Sequence, residues 1–284
     1  MDDWTETCRS IVNPWECDTT EHFTIAYYFD RLADAASTMA EKLRLPALPD
    51  AARRFDVRFT RELRAGASLH ILSGPIGLDE NSVRFGHQIV DSGDGEVTAW
   101  VEESLDTRAP LPREIRDAIG QNVLVWPGPA VERRPEPASF DGFIPTARDR
   151  VKPIDLDAAG NFTLAAFVHR FTTGCIQALA AIGATACYGE AERRGYSTFE
   201  LALALSGSPQ LGSPILVDSG IVHLGNSSIR FLHRMRDPVT GTEFARLSQF
   251  GVQLDLDARR PAALPAPLRA AASRLLVPMA EEGN

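Results

Sequence analysis

One stretch of this chain occurs twice. Val12-Asn-Pro-Trp-Glu-Cys-Asp18-Thr-Thr-Glu-His22-Phe-Thr24 returns as Val151-Lys-Pro-Ile-Asp-Leu-Asp157-Ala-Ala-Gly-Asn161-Phe-Thr163, 139 positions on. Further along, Asn81-Ser-Val-Arg84-Phe-Gly-His87 matches Ser227-Ser-Ile-Arg230-Phe-Leu-His233, and Gly66 matches Gly212, both 146 positions on. Two blocks in one order, with seven residues added between them, indicate a duplicated domain. The 284 residues, 44% hydrophobic, supply two ordinary cores.

Each copy reads alike. A short extended piece ends at the aspartate and a helix follows. Its apolar stripe in the first copy is Ile25, Phe29, Leu32, Ala33, Ala36, Ala40 and Leu43. In the second copy it is Val168, Phe171, Cys175, Leu179 and Ile182, which makes Cys175 a core residue. Strand patterns come next. Phe55, Val57 and Phe59 alternate with polar residues; then come Leu69–Leu72, Val83–Ile89, an Asp91–Gly95 hairpin turn and Val97–Val101. The second copy offers Ile215–Val217, Ile221–Leu224, Ile229–His233, a turn at 238–241 and Phe244 to Leu254. A long helix covering one face of an antiparallel meander is an α+β layer. The proline-rich, charged stretch 127–150 reads as a linker, giving domains at 1–126 and 151–284.

A net charge of -9 argues against non-specific nucleic-acid binding, though a polyanionic small ligand needs only a local cationic patch. No apolar run reaches the ~20 residues that cross a bilayer, and the start Met1-Asp2-Asp3-Trp4 is unlike a signal peptide. The expectation is a cytoplasmic protein without membrane partners. Cys8, Cys17, Cys175 and Cys187 show neither metal-ligand spacing nor a disulfide framework, so no metal or cofactor is expected.

The pattern Asp18, Glu21, His22, Thr24, Tyr28 resembles the D-x-x-G-H-x-N-x-x-x-Y motif of the 4-hydroxybenzoyl-CoA thioesterase-like superfamily. Leu63-Arg-Ala-Gly66, Ser82-Val-Arg84-Phe and Leu111-Pro-Arg-Glu-Ile115 are also similar to that superfamily. The resemblance implies a tandem (double) hotdog, each half a long helix wrapped by an antiparallel sheet. It implies an acyl-CoA thioesterase that releases free acid and CoA, and it leaves room for a homo-oligomer of double hotdogs. Glu21 stands where the motif has glycine and Thr24 where it has asparagine. The second half keeps Asp157 and Gly160 but has Asn161 for the histidine and Phe167 for the tyrosine. Double-hotdog acyl-carrier-protein thioesterases carry Asp, Asn and His in the second half, where this chain has Asp157, Ala159 and Asn161. The first half is therefore the better equipped.

Thioester hydrolysis needs a base or nucleophile and donors for the developing oxyanion. Asp18 is the expected base or nucleophile, with His22 orienting and Glu21 as a second carboxylate that pushes the pKa values apart. Helix-opening N–H groups around His22 and Phe23 are the expected oxyanion donors, each worth roughly 3 kcal/mol in the barrier. Phe23, Thr24, Tyr28, Asp157, Asn161 and Arg58 are the expected substrate contacts, and Arg61 and Arg64 are further candidates for CoA phosphates. Against these stand plainer readings: Asp18 and Asp157 as helix caps, His87 and His233 as satisfied core histidines, the arginines as a solvated face. Two other functions share the fold, a hydratase or dehydratase of acyl thioesters and a non-catalytic acyl-thioester binding module.

Overall fold

The computed structural model describes residues 4–18, 20–45 and 51–278, so the acidic first residues lie outside the described part. The chain divides into two compact units, Met1–Val131 with Ala204–Ser206 and Glu132–Leu203 with Gly207–Asn284. The first unit contains β1 (Thr5–Ile11), α1 (Ile25–Leu43), β2 (Ala52–Phe59), β3 (Ser68–Leu78), β4 (Ser82–Asp91), β5 (Val97–Asp106) and α2 (Arg113–Gly120). Its strands pair antiparallel in the order β1-β3-β4-β5-β2. The second unit contains β6 (Ile144–Arg150), α3 (Leu164–Ala181), α4 (Ala186–Glu192), β7 (Arg194–Leu205, all but its last two residues), β8 (Pro214–Leu224), β9 (Ser228–Arg236), β10 (Glu243–Asp255), β11 (Arg260–Pro261) and α5 (Ala266–Arg274). Here the order is β6-β8-β9-β10-β7, with the short β11 on β10. Each unit is a long helix laid on an antiparallel sheet, so the chain is an α+β tandem hotdog.

Two expectations need correction. The buried face of α1 is Ala26, Tyr28, Phe29, Leu32, Ala35 and Met39; Ala33, Ala36 and Ala40 lie beside it. The bulk of Tyr28 and Met39 turns the helix so that the large side chains face the sheet and the alanines flank it. Phe29 against Phe55 (ring centroids 5.4 Å) anchors this contact, and both rings are fully buried. Burial of one such ring contributes about 1.5–3 kcal/mol. The second correction concerns the linker, whose last seven residues form β6, paired with β8 as β1 pairs with β3. Both strands sit at the end of the sheet order and carry charged residues in place of apolar alternation, which is how sheet edges resist further pairing. Among the described residues no single helix is long and apolar enough to cross a membrane.

The duplication runs deeper than its two sequence blocks. Thr7, Ser73 and His87 form a buried chain of hydrogen bonds, Oγ1 to Oγ at 2.7 Å and Oγ to Nδ1 at 2.7 Å. Thr146, Ser219 and His233 repeat it at 2.6 Å and 2.6 Å. Both histidines are fully buried, which makes them structural. They differ at the far nitrogen. Nε2 of His87 meets Glu103 at 3.3 Å, while Gln249 replaces that carboxylate and turns its amide to Thr198, leaving His233 Nε2 with no partner. Burial pulls the His233 imidazole down to about 3. Burial alone would raise Glu103, but Arg53 and His87 overcome it and hold the carboxyl down to about 2.

Candidate active site

The site is built by a lock common to both units. A short turn, Pro14–Glu16, follows β1, and Glu16 takes the Asn13 N–H on one oxygen and the Arg31 guanidinium on the other (2.8 and 2.6 Å). Asp155 repeats this after β6, accepting from the Lys152 N–H at 2.7 Å and from Arg170 at 2.7 and 2.6 Å. Each lock ties the strand's exit to the second turn of the long helix and so fixes the loop that leads into the helix. Glu16 and Arg31 lie 139 positions before Asp155 and Arg170, so the repeat offset held a signal for this pair that motif reading passed over.

Within that frame Asp18 ties up its own loop. Its Oδ1 accepts from the Thr20 N–H (2.8 Å), the Thr20 hydroxyl (2.6 Å) and the His22 N–H (3.2 Å). It does not cap α1, whose N-cap is Thr24. The expected oxyanion donors are also occupied: the His22 N–H serves Asp18, and the Phe23 N–H serves the Leu63 carbonyl at 2.8 Å. The true start of α1 is Ile25 and Ala26, whose N–H groups, in the first turn, have no acceptor within the helix.

The Phe23 bond and a bridge between His22 and Arg64 bring the β2–β3 connection to the loop. Glu62 arrives with it, its Oε2 2.9 Å from His22 Nε2. His22 Nδ1 lies 3.0 Å from the Thr20 hydroxyl. Arg64 closes the cluster, 3.5 Å from His22 Nε2 and 3.6 Å from Glu21. Hydrogen-bond directions place the protons here. Thr20 gives its one hydrogen to Asp18, so its oxygen must accept from Nδ1–H. Nε2 faces the Glu62 carboxylate at hydrogen-bond distance, with the Arg64 guanidinium beside it. A histidine–carboxylate pair at that distance is an acid–base unit.

Other expected residues fall elsewhere. Glu21 is 82% exposed at its side chain and adopts a left-handed φ of 65°, where Gly160 stands in the second copy at 84°. Phe23 and Tyr28 are buried with ring centroids 4.5 Å apart, so both support the loop from beneath and do not line its surface. Burial first of all keeps the Tyr28 hydroxyl un-ionised, raised well above its ordinary value. Thr24 holds the helix start through its own N–H, bonded to the Glu16 carbonyl. Arg58 sits one residue from Val57 and Phe59 and therefore points to the opposite face of β2 from the core. Arg61 is engaged by Asp94 and Glu96 at 2.5 and 3.1 Å and by Asp91, in the hairpin turn. Arg64 reaches the loop, at His22 and Glu21. Sequence reading missed Glu62 because it belongs to no motif and reaches His22 only through the fold.

In the second unit the loop is closed. Asp157 Oδ1 accepts from the Ala159 and Asn161 N–H groups (2.9 and 2.8 Å), and Oδ2 accepts from the Asn161 amide (3.1 Å). Those bonds, the Asn161 N–H foremost, hold the Asp157 carboxyl below the usual range. Ser208 stands at the position of Glu62 and takes the Phe162 N–H at 3.3 Å; Gln210 stands at the position of Arg64. Histidine, glutamate and arginine are thus replaced together. Among the described residues no cluster of His, Cys, Asp and Glu could hold a metal ion.

Comparison with known proteins agrees with this architecture. Residues 151–272 match the model of the thioesterase-like superfamily. A protein assigned as an oleoyl thioesterase from Lactobacillus plantarum superposes with a TM-score of 0.65 at 13% identity, covering 88% of this chain and 97% of its own. An acyl-ACP thioesterase from Bacteroides thetaiotaomicron gives 0.63 at 10%, with 86% and 96% covered. The 12:0-ACP thioesterase from Umbellularia californica gives 0.62 at 13%, with 90% and 93% covered. At these identities the likeness is one of fold. No curated protein matches by sequence. Residues 151–272 are thus similar to the thioesterase-like superfamily, and the chain as a whole has the fold of the double-hotdog structures it superposes on.

Proposed function

We propose that the chain hydrolyses an acyl thioester and that the first unit performs the chemistry. The observation that carries this reading is the contact between His22 and Glu62, in a loop whose second-unit counterpart has lost both groups. With a proton on Nε2, Glu62 is a carboxylate that takes a proton from water as its oxygen attacks the thioester carbon. The N–H groups of Ile25 and Ala26 receive the oxyanion, favoured by the positive end of α1. Collapse breaks the carbon–sulfur bond, and the proton held by the pair goes to the departing thiolate. Acid and thiol are the products, and the pair returns to its starting state. Asp18 positions Thr20, which positions His22.

A second reading keeps Asp18 itself as base or nucleophile. It is favoured by one detail, that all its hydrogen bonds fall on Oδ1 while Oδ2 takes none among the described residues. Release of free thiol separates the two readings. Glu62→Gln keeps the shape and loses the proton acceptor, so kcat/KM should fall ~100-fold or more. Asp18→Asn, which preserves the acceptor Oδ1, should cost far less. The reverse order moves the chemistry to Asp18, and full activity in both variants refutes the site.

For the carrier we propose CoA. The chain's charge of -9 opposes an acidic carrier protein, whereas a nucleotide phosphate needs only one exposed cation such as Arg64, 46% exposed beside the loop. Matched acyl-CoA and acyl-carrier-protein substrates, with dehydration followed in parallel, test this choice.

A further inference from the structure

The seven residues that separate the two repeat offsets have a structural counterpart. They enter the connection between the long helix and the following strand, where the second unit carries α4, itself seven residues long. Together with the end of α3, the start of β7 and the segment before α5, α4 walls a pocket of about 90 Å³. Its floor is Leu179, Ile182, Ala184, Ile229 and Leu264, continuous with the core of this unit.

The polar groups around it are already engaged. The Tyr188 hydroxyl donates to Gln253 at 2.9 Å, and the Gln253 amide donates to the Ala263 carbonyl at 2.8 Å. The Tyr196 hydroxyl donates to the Ile229 carbonyl at 2.9 Å, and Arg194 pairs with Asp255 at 2.8 Å. Thr185 accepts from the Tyr188 N–H at 3.2 Å as the cap of α4. A polar ligand would have to break these bonds, whereas an apolar one leaves them intact and gains burial. The volume sets the size. At about 90 Å³, against the about 150 Å³ of a cavity that holds benzene, the space takes only the last few carbons of an apolar ligand. Its position sets it apart from the loop at Asp157, since α3 runs 18 residues and about 27 Å between them.

We propose that this pocket is a binding site for the end of a short alkyl chain. The occupant is a free aliphatic molecule, held through its methylenes. The site is independent of the catalytic reading above, because binding is measured without turnover.

The test uses the full chain with isotope-labelled isoleucine δ1 methyls and 1-hexanol as probe. Saturable shifts are expected at Ile182 and Ile229 and not at Ile115, which packs in the first unit's core. Ala184→Leu, which fills the floor, should weaken binding at least tenfold. Leu179→Phe should do the same if the leucine variant melts early. Absence of saturable shifts at Ile182 and Ile229 in the wild-type protein overturns the proposal, as does undiminished binding to either variant when it is folded.

Discussion

The loops 18–24 and 157–163 share a backbone and differ in what their side chains do with it. In both, an aspartate accepts backbone N–H groups two and four residues ahead. In the second loop the residue four ahead is Asn161, whose amide returns to Asp157 and leaves the loop self-contained. In the first it is His22, too long to fold back, and its ring reaches out to Thr20 and Glu62. A structural turn became a candidate site through side chains that point away from it. The turn's own hydrogen bonds were already sufficient.

If the locks below the loops are structural in both halves, they should fail alike. Arg31→Ala and Arg170→Ala each strand a buried carboxylate, Glu16 or Asp155, and each should cost about 3–5 kcal/mol in chemical denaturation. A loss in one unit only would break the equivalence. Acid should separate the units where the locks do not. The His233 imidazole sits at about 3 when folded, so unfolding takes up a proton as pH falls below 6.5. Stability from this group is full above 6.5 and lost between there and 3. Between pH 7 and 5 the loss is about 2 kcal/mol. Glu103, folded at about 2 against 4.5, contributes stability that is full above 4.5 and lost only below it. Hydrogen exchange corrected for intrinsic rates should therefore show β8 and β9 loosening over that range before β3 and β4. Equal loosening would mean that the missing partner of His233 is immaterial. The smallest effect lies at the loop itself. Glu21→Gly relieves a left-handed φ that costs a side chain about 1 kcal/mol, partly offset by glycine's freedom when unfolded. Stability should rise by ~1 kcal/mol or less in thermal denaturation, and a fall would show that Glu21 contributes through Arg64.

The duplication, both long helices and the central hairpins were legible because periodicity and matched blocks report them directly. The edge strands were not. In β6 the sequence Ile144-Pro-Thr-Ala-Arg-Asp-Arg150 obeys the needs of a sheet edge, charge and proline, and so reads as linker. A third repeated block also passed unseen. Leu111-Pro112 with Ile115 opens α2, and Leu264-Pro265 with Leu268 opens α5, at an offset grown by seven more residues. His22 was legible within its motif, whereas Glu62 lies 40 positions away and meets it only because Phe23 bonds Leu63. Contacts of that kind belong to the fold, and no local pattern announces them.

On the proposed reading, His22 is what separates an active first loop from a structural second one. His22→Asn places the second loop's residue in the first, and asparagine at this position demonstrably suits the backbone. Thioester hydrolysis by this variant, followed as free thiol alongside a thermal melt, is the direct measurement. A fall in kcat/KM of ~100-fold or more with an unchanged melt is the predicted result. A folded variant hydrolysing at the wild-type rate would contradict the claim and move the chemistry out of the His22–Glu62 pair.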